Sequence, residues 1–150
     1  MIAPQPRAHP EREIPVADRI LEYIDRNYAK PISLRHVAQT FGHSPCHLTH
    51  TVSRTTGRPI TAWIIRRRIL AAQQLFAETD VDVASACEAV GFKDVCYFTR
   101  QFVRHAGTSP GRFRAKMRDE RAAELRKARA KESEAGQYIV SMRPGAARLQ

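Results

Sequence analysis

Apolar residues recur at three- and four-residue spacing through most of this chain, a pattern that predicts an all-α fold. Val16, Ile20, Tyr23, Ile24 and Tyr28 form one stripe, so a packing helix is expected from about Val16 to Tyr28. Leu34, Val37, Ala38 and Phe41 repeat the spacing until Gly42 breaks it, with Ser33 or Ile32 opening that helix. Ser44 is a good cap and Pro45 suits a first turn, which starts a third helix running to about Thr56 with Leu48 and Val52 as its apolar stripe. The longest helical pattern follows, from Pro59 to about Glu78, carrying Ile60, Trp63, Ile64, Ile69, Ala72, Leu75 and Phe76.

The pattern then starts again. A run from Val83 to Val90 ends at Gly91, where the absence of a Cβ permits a sharp turn. Asp94 caps a new helix that sets Phe98 and Phe102 at i and i+4 on one face and Val95, Cys96, Thr99 and Arg100 on others. Gly107 ends it, and Thr108-Ser109-Pro110 starts another. From Arg112 to Ala135 the chain reads as a charged helix whose Phe113, Met117 and Leu125 are too sparse to bury deeply. Residues 1 to 15, with four prolines, read as a flexible arm, and the tail from Gly136 has no assigned role.

Shifting the sequence by fifty residues brings Asp94, Cys96, Phe98, Thr99, Arg100, Phe102, Arg104, Gly107 and Phe113 onto Ser44, Cys46, Leu48, Thr49, His50, Val52, Arg54, Gly57 and Trp63. Caps meet caps and apolar positions meet apolar positions. Upstream the offset is forty-nine, pairing Gly91 with Gly42, Val90 with Phe41 and Val83 with Leu34, so the second copy has the longer turn by one residue. Helix, tight glycine turn and helix, written twice, is the grammar of a duplicated helix-turn-helix. The boundaries this predicts are an arm at 1–15, a first unit at 16–57, a linker helix at 58–78, a second unit at 79–114 and a charged helical extension with a disordered tail at 115–150.

Charge changes the picture from fold to partner. The 150 residues carry a net charge of +10, and twenty of the twenty-five basic residues are Arg, whose planar fork matches phosphate oxygens and guanine edges. Residues 16 to 76 sum to +6 and residues 115 to 150 to +4. Residues 77 to 114 sum to zero, with four of their five acids ahead of Asp94 and four arginines at or after position 100. A basic surface alone would serve solubility; joined to the repeat it points to double-stranded DNA. On the third helix Cys46, Thr49, His50, Ser53 and Arg54 lie off the apolar stripe and are the first candidate readers. Arg66, Arg67 and Arg68 on the linker helix cannot all face the core. Arg54, Arg66, Arg67 and Arg104 are assigned to phosphate, with Arg68 equally suited to a buried ion pair.

Cys46, Cys87 and Cys96 form no CxxC pair, and there is no secretory or membrane-spanning run, which predicts a cytoplasmic, nucleoid-associated chain with reduced thiols. His43, Cys46, His47 and His50 cluster in sequence, but further ligands for a metal are not evident. No metal, cofactor or enzymatic activity is expected: nucleophilic chemistry needs a cleft that small helical reading modules rarely have.

With both copies placed, the chain resembles the arabinose-regulator (AraC/XylS) family of bacterial transcription factors over about residues 16 to 114. Gly91-Phe92, Asp94, Tyr97-Phe98, Arg100, Phe102, Arg104, Gly107, Ser109-Pro110 and Phe113-Arg114 match the family signature in order and spacing, and Arg68, Ala72 and Leu75 match its linker helix. The resemblance implies seven helices in two helix-turn-helix subdomains joined by a long helix, entering adjacent major grooves on one face of DNA. It further implies base contacts from Cys46, Thr49, His50 and Ser53 on the first reading helix and from Val95, Cys96, Thr99 and Arg100 on the second. His50 departs from the family's usual Arg, Val52 from Phe, and Cys87 and Cys96 from the common Ala and Ser. Relatives often carry an effector-sensing domain; none is expected in this chain, because fifteen residues before the first helix cannot fold one. Activation would require contact with RNA polymerase, through a surface that no residue here identifies. The function expected is therefore a sequence-specific DNA-binding transcriptional regulator, and the alternative is a basic interaction module docking on an acidic partner through its C-terminal helix.

Overall fold

The computed structural model describes residues 15–141, and in them the chain forms seven helices: α1 (Val16–Asn27), α2 (Leu34–Phe41), α3 (Pro45–Thr56), α4 (Ile60–Glu78), α5 (Val83–Ala89), α6 (Val95–Ala106) and α7 (Pro110–Ser141). Several of these starts carry a side-chain cap. Ser33, Ser44, Asp82 and Asp94 accept a backbone N–H three residues on, which satisfies one of the donors a helix leaves open at its start. The carboxylate of Asp82 is held below its ordinary range by the hydroxyl and backbone N–H of Ser85.

Two cores share α4. Ile20, Ile24, Val37, Leu48, Val52, Ile60 and Ile64 are buried together in the first; Ile69, Ala72, Phe76, Val90, Phe92, Phe98 and Phe102 in the second. α4 thus lends its N-terminal half to one core and its C-terminal half to the other. Side chains of this kind stabilise by about 1.5–3 kcal/mol each when fully buried, so neither three-helix unit has apolar surface to spare. In the second core the rings meet edge to face or tilted: Phe98 and Phe102 at 5.6 Å, Phe102 and Phe113 at 5.5 Å, Phe92 and Phe98 at 5.2 Å.

Side-chain guanidiniums close the helix ends. Arg121 Nη1 donates to the carbonyls of Thr79 (2.8 Å) and Ala77 (3.1 Å), and its Nη2 bonds the Asp80 carboxylate at 2.6 Å. Arg114 donates to the carbonyls of Val81 (2.7 Å) and Asp80 (2.8 Å). A cation at the end of α4 meets both the open carbonyls and the negative end of the helix dipole.

α7 bears on two boundaries read from the sequence, and the second of them needs correction. α7 is one helix of 32 residues, so the division drawn between 114 and 115 falls inside it. The tail expected from Gly136 is helical as far as Ser141. A glycine in a helix interior costs only about 1 kcal/mol relative to Ala, and Ala128, Ala130 and Ala135 before it are strong helix formers. The N-terminal arm, apart from Pro15, and the end of the tail from 142 lie outside the described residues.

Candidate nucleic-acid interface

The turns that lead into α3 and α6 are closed by the same pair of backbone hydrogen bonds. The N–H of Gly42 bonds the Gln39 carbonyl and that of His43 the Ala38 carbonyl; forty-nine residues on, Gly91 bonds Glu88 and Phe92 bonds Cys87 in the same way. One extra residue then separates Gly91 from the cap Asp94, as the offsets predicted. Both reading helices end on a glycine in the left-handed region, Gly57 at φ 75° and Gly107 at φ 72°.

Burial repeats as well. Leu48 and Phe98 are buried at equivalent positions, as are Val52 and Phe102. Cys46 and Cys96 are both exposed, Thr49 and Thr99 both half-buried, His50 and Arg100 both exposed, Arg54 and Arg104 both exposed. Ser53 is half-buried and Val95 exposed, so all eight expected base readers have surface to offer. The hydroxyl of Thr99 donates to the Val95 carbonyl at 2.8 Å. A depression beside α3 is lined by Leu34, Cys46, Thr49, His50, Ser53 and Arg54, gathering that set on one face.

The arginines divide by partner. Arg54, Arg58, Arg66, Arg100 and Arg104 form no ion pair among the described residues, whereas Arg67 bonds the Asp25 carboxylate at 2.8 Å and lies 4.5 Å from the centroid of the Tyr28 ring. Arg67, assigned to phosphate from the sequence, is thus drawn towards α1. Arg68 is not in an ion pair either; it donates to the carbonyls of Tyr28 and Lys30.

Sequence reasoning missed Arg58. It stands at the exit of α3 and lines a cleft of about 560 Å³ with Ala62 and Ile65 on one side and Tyr97, Gln101, Arg104 and His105 of α6 on the other. His105 is pushed below its ordinary value by partial burial first, then by Arg104, Arg58 and Arg66. No carboxylate lines this cleft. Only the juxtaposition of α6 with the start of α4, about forty residues apart in sequence, creates it, and Thr108 at the equivalent position of the second copy gives no hint of the charge.

His43 and His47 rings stand 5.2 Å apart, yet among the described residues no three His, Cys, Asp or Glu side chains converge as a metal would require. Cys87 is buried, and burial, followed by Asp94 and Glu88, pushes its thiol upward into an inert range; Cys46 and Cys96 are exposed free thiols. Among the described residues no helix is long and apolar enough to cross a membrane.

A short helix, a tight turn and a second helix that turns polar and basic side chains outward define a helix-turn-helix, and here the unit occurs twice. The family model described as a helix-turn-helix domain matches residues 37–116. The arabinose operon regulatory protein of Escherichia coli is 33% identical over 105 residues, covering 67% of this chain and 36% of that protein. The bifunctional transcriptional activator/DNA repair enzyme AdaA of Bacillus subtilis is 30% identical over 97 residues, 65% of this chain and 46% of that protein. The chain thus spans less than half the length of these two curated relatives. Among solved structures, the C-terminal domain of AraT, a response regulator from Geobacillus stearothermophilus, superposes with a TM-score of 0.66 at 24% identity over 70% of this chain and 88% of that one. The DNA-binding domain of AdpA, solved with a target DNA, gives 0.66 at 23% identity over 71% and 96%. At such identities the likeness establishes the shared fold. The chain belongs to the AraC/XylS-type helix-turn-helix family of DNA-binding transcriptional regulators.

Proposed function

We propose that this protein regulates transcription by inserting α3 and α6 into adjacent major grooves on one face of double-stranded DNA. The observation that carries the reading is the duplication of exposure: the same positions, fifty residues apart, are turned outward on two helices with matching caps. α4, with 19 residues, is about 28 Å long, close to the ~34 Å that separates successive major grooves once the widths of the flanking helices are added. That AdpA's related domain was solved on its target DNA supports the same partner here.

Cys46, Thr49, His50 and Ser53 read one block of bases, and Val95, Cys96, Thr99 and Arg100 the other. Arg100 suits a bidentate pair with guanine N7 and O6. Arg54, Arg66 and Arg104 contact phosphate, where they add affinity without sequence information. Selecting bound duplexes from a random library tests the whole: two blocks of preferred bases one helical turn apart are expected. A single block, or none, would reject the two-groove reading.

The interaction-module alternative gains little. Residues 115 to 141 of α7 carry seven basic and five acidic side chains, interleaved and exposed apart from Arg121, which leaves a weak attraction for an acidic partner.

A further inference from the structure

α4 is not the only tie between the two reading heads. The turn after α1 lies directly against the turn before α6, and the contact is too close for any side chain: a Cβ on Gly91 would stand 2.9 Å from the carbonyl oxygens of both Tyr28 and Ala29 and 3.1 Å from the Ala29 carbonyl carbon. Gly91 also holds φ at 91°, which L side chains rarely adopt. Over this join lies Arg68. Its Nε donates to the Tyr28 carbonyl at 2.7 Å, its Nη2 to the Lys30 carbonyl at 2.9 Å, and its guanidinium carbon is 5.6 Å from the centroid of the Phe92 ring. Phe92 is buried in the second core where its counterpart His43 is exposed. Tyr28, from the end of α1, packs against that second core as well.

One side chain therefore ties three segments together: the Tyr28 and Lys30 carbonyls in the turn after α1, the linker helix from which it grows, and the aromatic ring two residues ahead of the α6 cap. α1 belongs to the first head, since Ile20 and Ile24 share a core with Leu48 and Val52 of α3. Gly91 and Phe92 lead straight into α6. A shift at the join therefore moves one reading helix relative to the other. Arg121 makes a similar cap on the end of α4, but it does so inside the second unit and leaves the heads' relation unchanged.

We propose that Arg68, seated over the Gly91 contact, is a positioning residue that fixes the distance and rotation between α3 and α6, and so the number of base pairs the protein accepts between its two blocks. The proposal rests on the two-groove reading above. One inserted base pair moves the second block by about 3.4 Å and turns it by about 35°, a displacement that a single helical rod absorbs more readily than a rod with a lateral clasp.

The test uses the selected duplex, the same duplex with one base pair added or removed between the blocks, and a duplex holding only the second block. Wild type, Arg68→Met and Arg68→Lys are compared, with folding checked by circular dichroism and thermal melting. Wild type should favour its own spacing by about tenfold, the scale of one lost base-pair contact. A folded Arg68→Met protein should keep its affinity for the single block while its spacing preference falls to about twofold or less. Arg68→Lys, which keeps the charge but not the fork, should lie between them, and it decides the matter if the Met variant does not fold. Folded variants that discriminate spacing as wild type does would overturn the proposal alone. A wild-type protein that selects one block would overturn the two-groove reading, and this inference with it.

Discussion

The two halves of the molecule have one skeleton and two fillings. Caps, turn hydrogen bonds and the order of buried and exposed positions coincide at offsets of forty-nine and fifty, yet the first core is aliphatic around Ile20, Leu48 and Val52 and the second aromatic around Phe98, Phe102 and Phe113. The outward faces differ in the same sense: His50 and Ser53 on α3 answer to Arg100 and Val103 on α6. A duplicated scaffold keeps what the backbone needs and frees what it does not, so the halves can share a geometry while dividing the labour of recognition. The second half carries the aromatic core and, on the proposed reading, the one arginine placed to read a base.

The largest test of that asymmetry is in the cores. Phe98→Ala should cost about 3–5 kcal/mol and its counterpart Leu48→Ala about 2–5, with Val52→Ala below either because it removes less buried surface. Chemical denaturation followed by far-ultraviolet circular dichroism measures all three. Because Arg68 and Gly91 clasp the halves, each variant should still unfold in one transition; a second transition in Leu48→Ala would mean that the first half melts alone and that the clasp carries little energy.

Recognition should divide unequally as well. Arg100→Ala is expected to lose about 1–3 kcal/mol of DNA affinity and to relax specificity at one base position, whereas His50→Ala, which removes no bidentate donor, should lose less. Removing Arg54 or Arg104 should act differently from both, weakening all sequences alike and reducing the salt slope by about one. Binding measured across salt concentrations and single-base substitutions separates these patterns. Equal losses from His50 and Arg100 would erase the proposed division.

The thiols offer a smaller but simultaneous readout of both halves. Cys46 and Cys96 occupy the same exposed place at the start of α3 and α6, while Cys87 is buried. Maleimide labelling followed by mass spectrometry should modify the first two and spare the third. On the selected duplex both exposed thiols should become protected together. Protection of Cys96 alone would mean that only the second head enters a groove.

Most of this skeleton was legible because it is written in local signals. Ser44-Pro45, Asp94 and the glycines at 42, 57, 91 and 107 state helix limits within a few residues, and a four-residue spacing such as Phe98 and Phe102 states a buried face. What escaped the sequence was every contact between residues far apart in the chain. Arg66, Arg67 and Arg68 are consecutive and chemically identical, yet one is left exposed beside Trp63, one is taken by Asp25 and one by the carbonyls of Tyr28 and Lys30. Their fates depend on where α1 comes to rest, which no window around them contains. Arg58 and His105 escaped for the same reason. α7 was cut short because Gly136 reads as a stop in isolation, whereas one poor helix former among good ones does not end a helix.

The cleft that separates the two heads supplies the finest test, through His105. Its imidazole is held below the ordinary 6.5 by partial burial and by Arg104 on its own helix, with Arg58 and Arg66 approaching from the α4 side; Tyr97 also lines the cleft. Between the folded value and 6.5 the unfolded chain holds a proton that the fold does not, so this residue's contribution makes stability fall as pH falls through that window. A DNA phosphate placed in the cleft would reverse the local balance, offsetting the three guanidiniums and favouring the protonated ring. Binding should then be accompanied by proton uptake, and affinity should rise as pH drops from about 7.5 towards 6. Four other histidines stand among the described residues, so the quantity to measure is the difference between wild type and His105→Gln. The variant should lose part of the pH dependence of binding and gain stability relative to wild type at the acidic end. If the two proteins show the same proton uptake in calorimetry across buffers of different ionisation enthalpy, no phosphate sits between the heads at this point, and the strand crossing from one groove to the next must run along another line of the surface.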